Sequence, residues 1–130
     1  MKLRILIADD HDMVRETLAM FLGADGTVQT TAAHDLPEAL AKMRSEGPFD
    51  LVLLDYSMPG MKGLDGLRTA IAAHGGNPVG LISGTASRLI ADQALEMGAA
   101  GFLPKTMSAK SLVNAVRFMA AGEIYAPVGF

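Results

Sequence analysis

Five short apolar runs alternate along the chain with stretches in which apolar residues recur at helical spacing. Residues 3–8 are nearly all apolar, as expected of a parallel strand covered on both faces. Beyond them Val14, Leu18, Phe21 and Leu22 mark one side of a helix. Asp10 or Asp12 could cap it, and Gly23 and Gly26 supply the turn that closes it. Residues 27–32 are short and β-branched and read as a second strand. Asp35, Leu36, Pro37 and Glu38 form a helix start, with proline in the first turn and an acid at the positive end of the dipole. Leu36, Leu40 and Met43 mark the buried side of that helix, and Gly47-Pro48 ends it. The run Leu51, Val52, Leu53, Leu54 is the strongest strand signal and leads directly into Asp55. Residues 56–63, with Pro59, Gly60 and Gly63, are a loop. A helix over 64–73 follows, stopped by Gly75 and Gly76, then a strand over 79–83, a helix over 88–97 and a strand over 100–103. Ser108 caps a last helix carrying Leu112, Val116 and Met119, which Gly122 ends.

Strict strand–helix alternation implies a parallel sheet with helices on both faces. Two doubly wound strand orders are common, and periodicity alone leaves both open. At 130 residues the chain fits one domain. Folding at that size buries about two-thirds of the extended surface, so no disulfide or metal staple is required. Half of the residues are apolar, yet there is no Trp and there are nine Met, so the core is aliphatic. The absence of cysteine excludes thiol catalysis, thiolate zinc sites and disulfides. A net charge of −3 argues against a nucleic-acid-binding surface. No apolar run approaches the ~20 residues of a membrane span, and the stretch behind Lys2 and Arg4 is too short for a signal peptide. A soluble cytoplasmic domain with no membrane partner is expected.

In sheets of this kind ligands bind at the carboxyl ends of the strands. Those positions hold Asp9 and Asp10, then Asp55, Ser83 and Lys105. Three carboxylates in one small site repel one another, and a single ammonium does not balance them. A hard divalent cation would, and Mg²⁺ favours one or two carboxylates with water and phosphate oxygens. A carboxylate can also attack phosphorus to give an aspartyl phosphate. Metal, ammonium and hydroxyl would then stabilise the equatorial oxygens of the transferring group.

With these positions the sequence resembles, over its whole length, the receiver domain of two-component response regulators. The resemblance rests on ILIADD, LVLLDYSMPGMKG, LISG and GAAGFLPK in that order. It implies a flavodoxin-like (βα)5 fold with strand order 2-1-3-4-5, and a phosphoacceptor role for Asp55. It also implies Mg²⁺ held by Asp9, Asp10, Asp55 and the backbone carbonyl of Ser57, with Ser83 and Lys105 on the phosphoryl oxygens. Phe102 occupies the position of the aromatic residue that turns from exposed to buried on activation, and Ser83, followed by the small Gly84, that of the switch hydroxyl. The implied partners are a sensor histidine kinase or phosphotransfer protein, and a second receiver in an activated homodimer. The implied activity is signalling with slow self-dephosphorylation rather than enzymatic turnover. Two features depart from the family pattern. Thr106 follows Lys105 where many receivers have a cis-proline, and the switch hydroxyl is Ser rather than the commoner Thr. The ending GEIYAPVGF is similar to LuxR/NarL-type transcription factors, which implies a following helix-turn-helix domain as the only route to DNA.

Simpler roles compete at several positions. Any one of Asp9, Asp10 and Asp55 would ordinarily cap a turn, but the trio with Lys105 is not explained that way. Asp12 reads as a first-turn acid and His11 as an exposed first-turn residue rather than a metal ligand; His34 and His74 lie in loops without assigned roles. Met13, Thr17 and Met20 are either peripheral packing or a docking patch for a kinase, and Ser57 and Thr85 flank the mouth of the pocket. A haloacid-dehalogenase-type phosphatase would need an acid where Ser57 stands, and a flavin carrier would be repelled by the acids after the first strand. A stand-alone or degenerate receiver serving as an interaction module is the remaining alternative.

Overall fold

The computed structural model describes residues 2–24, 26–85 and 87–126. The strands are β1 (Leu3–Ala8), β2 (Val28–Ala33), β3 (Leu51–Asp55), β4 (Val79–Ser83) and β5 (Gly101–Pro104), all parallel in one sheet of order β2-β1-β3-β4-β5. That is the flavodoxin-like order the resemblance implied. Between them run α1 (Asp12–Gly23), α2 (Leu36–Glu46), α3 (Asp65–Ala73) and α4 (Arg88–Glu96), with α5 (Ala109–Ala120) after the last strand.

Side chains alternate across each strand, so the continuous apolar runs supply two cores at once. Leu6, Ala8, Val52, Leu54, Leu81 and Phe102 pack toward α2, α3 and α4, which contribute Ala39, Met43, Leu67, Ala70, Ala91 and Ala94. Ile5, Ile7, Leu51, Leu53, Ile82 and Leu103 pack on the opposite face against Leu18 and Leu22 of α1 and Leu112, Ala115, Val116 and Met119 of α5. The α5 set recurs at i, i+3, i+4 and i+7, the stripe of a helix lying on a sheet. Each fully buried Leu or Ile contributes about 1.5–3 kcal/mol of transfer free energy.

Three helix starts are capped by side chains: Asp35, Ser87 and Ser108 accept from the N–H groups of Glu38, Ile90 and Ser111. The expected cap of α1 is not formed. Its N-cap is His11 without a side-chain cap, because the Asp10 carboxylate lies against the His11 ring and that of Asp12 pairs with Arg15 at 2.6 Å. Several other expectations shift. Phe21 is 41% exposed, since Leu22 takes the core position, and Leu40 is only half-buried. β2 extends to Ala33 because its register with β1 carries the ladder to the Ala8–Ala33 pair. β5 starts at Gly101 and α3 at Asp65, and α4 ends at Glu96.

The segment after α5 returns to the edge of the sheet. Tyr125 forms an isolated parallel bridge with Gly101, donating from its N–H to the Ala100 carbonyl at 2.8 Å and accepting from the Phe102 N–H at 3.3 Å. A Cβ on Gly101 would lie 2.6 Å from the Met119 sulfur and 2.8 Å from the Tyr125 carbonyl, so the close approach needs glycine there. Of the ending likened to transcription factors, residues 127–130 lie outside the described residues. No helix among the described residues is long and apolar enough to cross a membrane.

Candidate functional site

The sheet ladder continues past the apolar runs and fixes the polar residues at their ends. The Asp9 N–H donates to the Ala33 carbonyl at 3.0 Å, that of Tyr56 to Ile82 at 2.9 Å, and that of Lys105 to Ser83 at 2.9 Å. Asp55 closes β3 opposite Ile82, and Ser83 closes β4 opposite Pro104. Behind Asp55 the loop is anchored from below. Met58 and Met61 are 2% and 1% exposed, and the Pro59 carbonyl accepts from the Leu36 N–H at 3.1 Å. Gly60 has φ 94° and passes so near α2 that a Cβ would lie 3.0 Å from Leu36 and Pro37. The Ser57 N–H donates to Asp55 Oδ1 at 3.2 Å and sets the carboxylate's direction.

The structure brings Asp9, Asp10, Asp55 and Lys105 together. The side chains of Asp9 and Asp55 are 0% and 1% exposed, and Lys105 Nζ lies 3.0 Å from Asp9 Oδ2 and 3.3 Å from Asp55 Oδ2. Those two oxygens are shielded from solvent and have no hydrogen-bond partner of good geometry, so the ammonium meets them only as a charge. Burial works to raise the Asp9 carboxyl, but the His11 N–H and the Lys105 ammonium outweigh it and hold it below its ordinary range. Burial pushes the Asp55 carboxyl up, and the Asp9 charge adds to the effect against the Ser57 N–H and Lys105. Two buried carboxylates with bare oxygens and a third, partly exposed acid suit a hard divalent cation. Ser83 is buried beside this group, and its hydroxyl oxygen accepts the Thr85 N–H at 3.1 Å.

Two side chains near the pocket make contacts that the sequence did not announce. The His11 ring, expected to be an exposed first-turn group, is 60% exposed yet places Nδ1 3.1 Å from Asp9 Oδ1 and 3.3 Å from Asp10 Oδ1. Arg15 donates from Nη1 to the Asp9 carbonyl at 2.7 Å and from Nη2 to Asp12 at 2.6 Å, clamping the turn between β1 and α1. An Asp12–Arg15 pair one helical turn apart was the available signal for it. The other histidines also gain partners. His34 Nδ1 lies 2.7 Å from Glu38 Oε1, and the buried His74 accepts the Phe49 N–H on Nε2 at 3.0 Å.

The structure also bears on three features that were implied by the resemblance or left open in the sequence. Phe102 is fully buried, the rotamer that the resemblance assigned to the activated fold. The small Ala91 and Ala94 of α4, in the same core, leave room for the ring. Among the described residues Gly47-Pro48 carries the only cis peptide bond, so the Lys105 to Thr106 peptide is trans. Met13 and Thr17 line a largely apolar groove of about 290 Å³ with Phe21, Pro104, Lys105 and Met107, whereas Met20, 64% exposed, does not line it.

Known proteins resemble this chain over nearly its whole length. A "Glycerol metabolism activator" of Pseudomonas putida is 35% identical over 127 residues, covering 95% of this chain and 57% of its own length. The "Probable transcriptional regulatory protein NarL" of Mycobacterium tuberculosis is 38% identical, covering 97% and 59%. The chain thus spans less than two-thirds of the length of the curated relatives it matches. A LuxR family DNA-binding response regulator from Silicibacter pomeroyi superposes with a TM-score of 0.85 at 33% identity, covering 98% of this chain and 99% of that one. The signal receiver domain of the NarL protein of Mycobacterium tuberculosis does so with a TM-score of 0.84 at 36% identity, covering 94% and 98%. Residues 5–117 match the family described as the response regulator receiver domain, and the chain belongs to that family.

Proposed function

We propose that the domain accepts one phosphoryl group on Asp55 from a phosphohistidine of a sensor kinase or phosphotransfer protein, in the cytoplasm. The observation that carries this is the buried Asp9–Asp55 pair, each with a bare oxygen facing Lys105 at the carboxyl edge of the sheet. A carboxylate oxygen of Asp55 attacks phosphorus, a new O–P bond forms as the P–N bond breaks, and the departing imidazole keeps the electron pair and takes up a proton. Mg²⁺ held by Asp9, Asp10, Asp55 and the Ser57 carbonyl would supply positive charge to the phosphoryl oxygens when bound. Lys105 neutralises a further oxygen, and the Ser83 hydroxyl donates to another through a charge-assisted hydrogen bond. The donor protein docks in the apolar groove beside Lys105, with Met13, Thr17 and Met107 on its walls. Slow hydrolysis of the acyl phosphate then ends the signal.

Output is proposed to run through the face of α4, β5 and α5, read by a second receiver or by a helix-turn-helix domain beyond this segment. The relatives' printed descriptions as transcriptional and DNA-binding regulators support that output. Incubation with acetyl phosphate and Mg²⁺ followed by intact-mass measurement tests the reaction. One acid-labile phosphoryl group is expected, and none on Asp55→Asn. Undiminished labelling of that variant would remove Asp55 as the acceptor.

A further inference from the structure

His11 stands in a position the phosphoacceptor chemistry above does not use. Its backbone N–H is fixed to Asp9 Oδ1 at 2.9 Å, its side chain makes no helix cap, and its ring is thereby held over the acid pocket. Nδ1 is 3.1 Å from Asp9 Oδ1, 3.3 Å from Asp10 Oδ1 and 3.9 Å from Asp55 Oδ2. One donor atom from each of Asp9, Asp10, His11 and Asp55 lies within 4.8 Å of all the others. Around an octahedral ion with bonds near 2.1 Å, adjacent donors are about 3 Å apart and opposite donors about 4.2 Å. Three distances from one imidazole nitrogen thus fall near octahedral spacing, with the longest spans closing by a few tenths of an ångström. Independently, Asp9 Oδ2 and Asp55 Oδ2 are buried oxygens turned into the same pocket, with the Lys105 ammonium at 3.0 and 3.3 Å beside them.

We propose that His11 is a nitrogen ligand of this metal site, making it a mixed nitrogen–oxygen centre that binds Co²⁺ and Mn²⁺ in preference to Mg²⁺. The proposal rests on the metal site assigned to the acid pocket above. The chemistry follows from ligand type. Carboxylates serve all three ions, whereas an imidazole adds little for hard Mg²⁺ and progressively more along the first transition row. A hydrogen-bond donor to Asp9 that any cation displaces would have the opposite signature, because removing it raises affinity for every divalent ion alike.

The test is calorimetric titration of wild type and His11→Asn with Mg²⁺, Mn²⁺ and Co²⁺, together with pulsed electron paramagnetic resonance of the Mn²⁺-loaded protein. His11→Asn should weaken Co²⁺ binding by about tenfold or more and Mn²⁺ binding by less, while shifting Mg²⁺ by under about threefold. The wild-type Mn²⁺ spectrum should carry ¹⁴N modulation from a directly bound imidazole, absent in the variant. Absence of that modulation in wild type, or an equal change for all three ions, overturns the role of His11. Saturable Mg²⁺ binding by wild type is read separately, so failure of the acid pocket as a Mg²⁺ site is distinguishable from failure of His11 as its ligand.

Discussion

Replacing Lys105 with Met keeps the side chain's length while removing the ammonium from two buried carboxylates. Nζ lies 3.0 and 3.3 Å from Asp9 and Asp55, and at an effective dielectric near 20 each attraction is about 5 kcal/mol before desolvation. The donor oxygens of the two acids lie within 4.8 Å of one another, so their mutual repulsion is at least about 3.5 kcal/mol on the same scale. Desolvation of the ammonium, whose side chain is 20% exposed, and protonation of one carboxylate absorb much of this. The measured loss for Lys105→Met, by urea unfolding at neutral pH in chelator, should therefore be about 3 kcal/mol. With Asp55→Asn already in place the repulsion is gone, and the same substitution should cost only about 1 kcal/mol, a coupling of about 2 kcal/mol. Mg²⁺ should restore more stability to Lys105→Met than it adds to wild type, because the ion takes over a charge the variant lacks. A coupling below about 0.5 kcal/mol would refute the view that Lys105 serves to neutralise this pair.

Other positions give separate tests. Burial holds the His74 imidazole below its ordinary value of 6.5, so above that pH the ring is neutral both folded and unfolded. As pH falls below 6.5 the unfolded chain binds the proton first, and stability should drop by up to about 1.4 kcal/mol per pH unit more in wild type than in His74→Asn; parallel urea-unfolding curves would deny it. Gly101→Ala should cost about 1–3 kcal/mol and speed hydrogen exchange at the Tyr125 amide, since the new methyl meets the Tyr125 carbonyl. Unchanged exchange would mean the bridge moves freely. Phe102→Ala should cost about 3–5 kcal/mol in the unphosphorylated domain, and a loss under about 1 kcal/mol would show the ring outside the core in solution.

The alternation of elements was legible because both faces of this sheet are covered. A doubly covered strand must be apolar throughout, and β1 and β3 have no polar residue interrupting residues 5–8 or 51–54. Strand order was not legible from periodicity, since pairing depends on contacts between distant segments; the receiver-like residues supplied it. The buried loop was also hidden. Met58 and Met61 sit among Pro and Gly residues that signal a turn, yet they fill the core beneath Asp55 as Leu67 does from α3. Phe49 and His74 pair across 25 residues of sequence, a contact that no local pattern encodes.

The site divides along the same physical line. Asp9, Asp55, Ser83 and Lys105 could be found because each is placed by backbone: a strand end fixes a Cα, and the ladder bonds to Ala33, Ile82 and Ser83 hold those ends in register. What hinges on a side-chain torsion could not be found that way. His11 and an outward-turned first-turn histidine share the same sequence and the same backbone, and differ only in which staggered well χ1 occupies. The rotamer seen here follows from an acid-rich pocket next to an uncapped helix start, which draws a donor ring inward. Phe102 obeys the same logic, its ring sharing a buried core with the small Ala91 and Ala94 of α4. Amide shifts on binding beryllofluoride should be large at Ser83, the 84–85 loop and α4; Phe102 ring resonances that move with them would place the ring in the switch, and resonances that stay would show the buried rotamer held in both states.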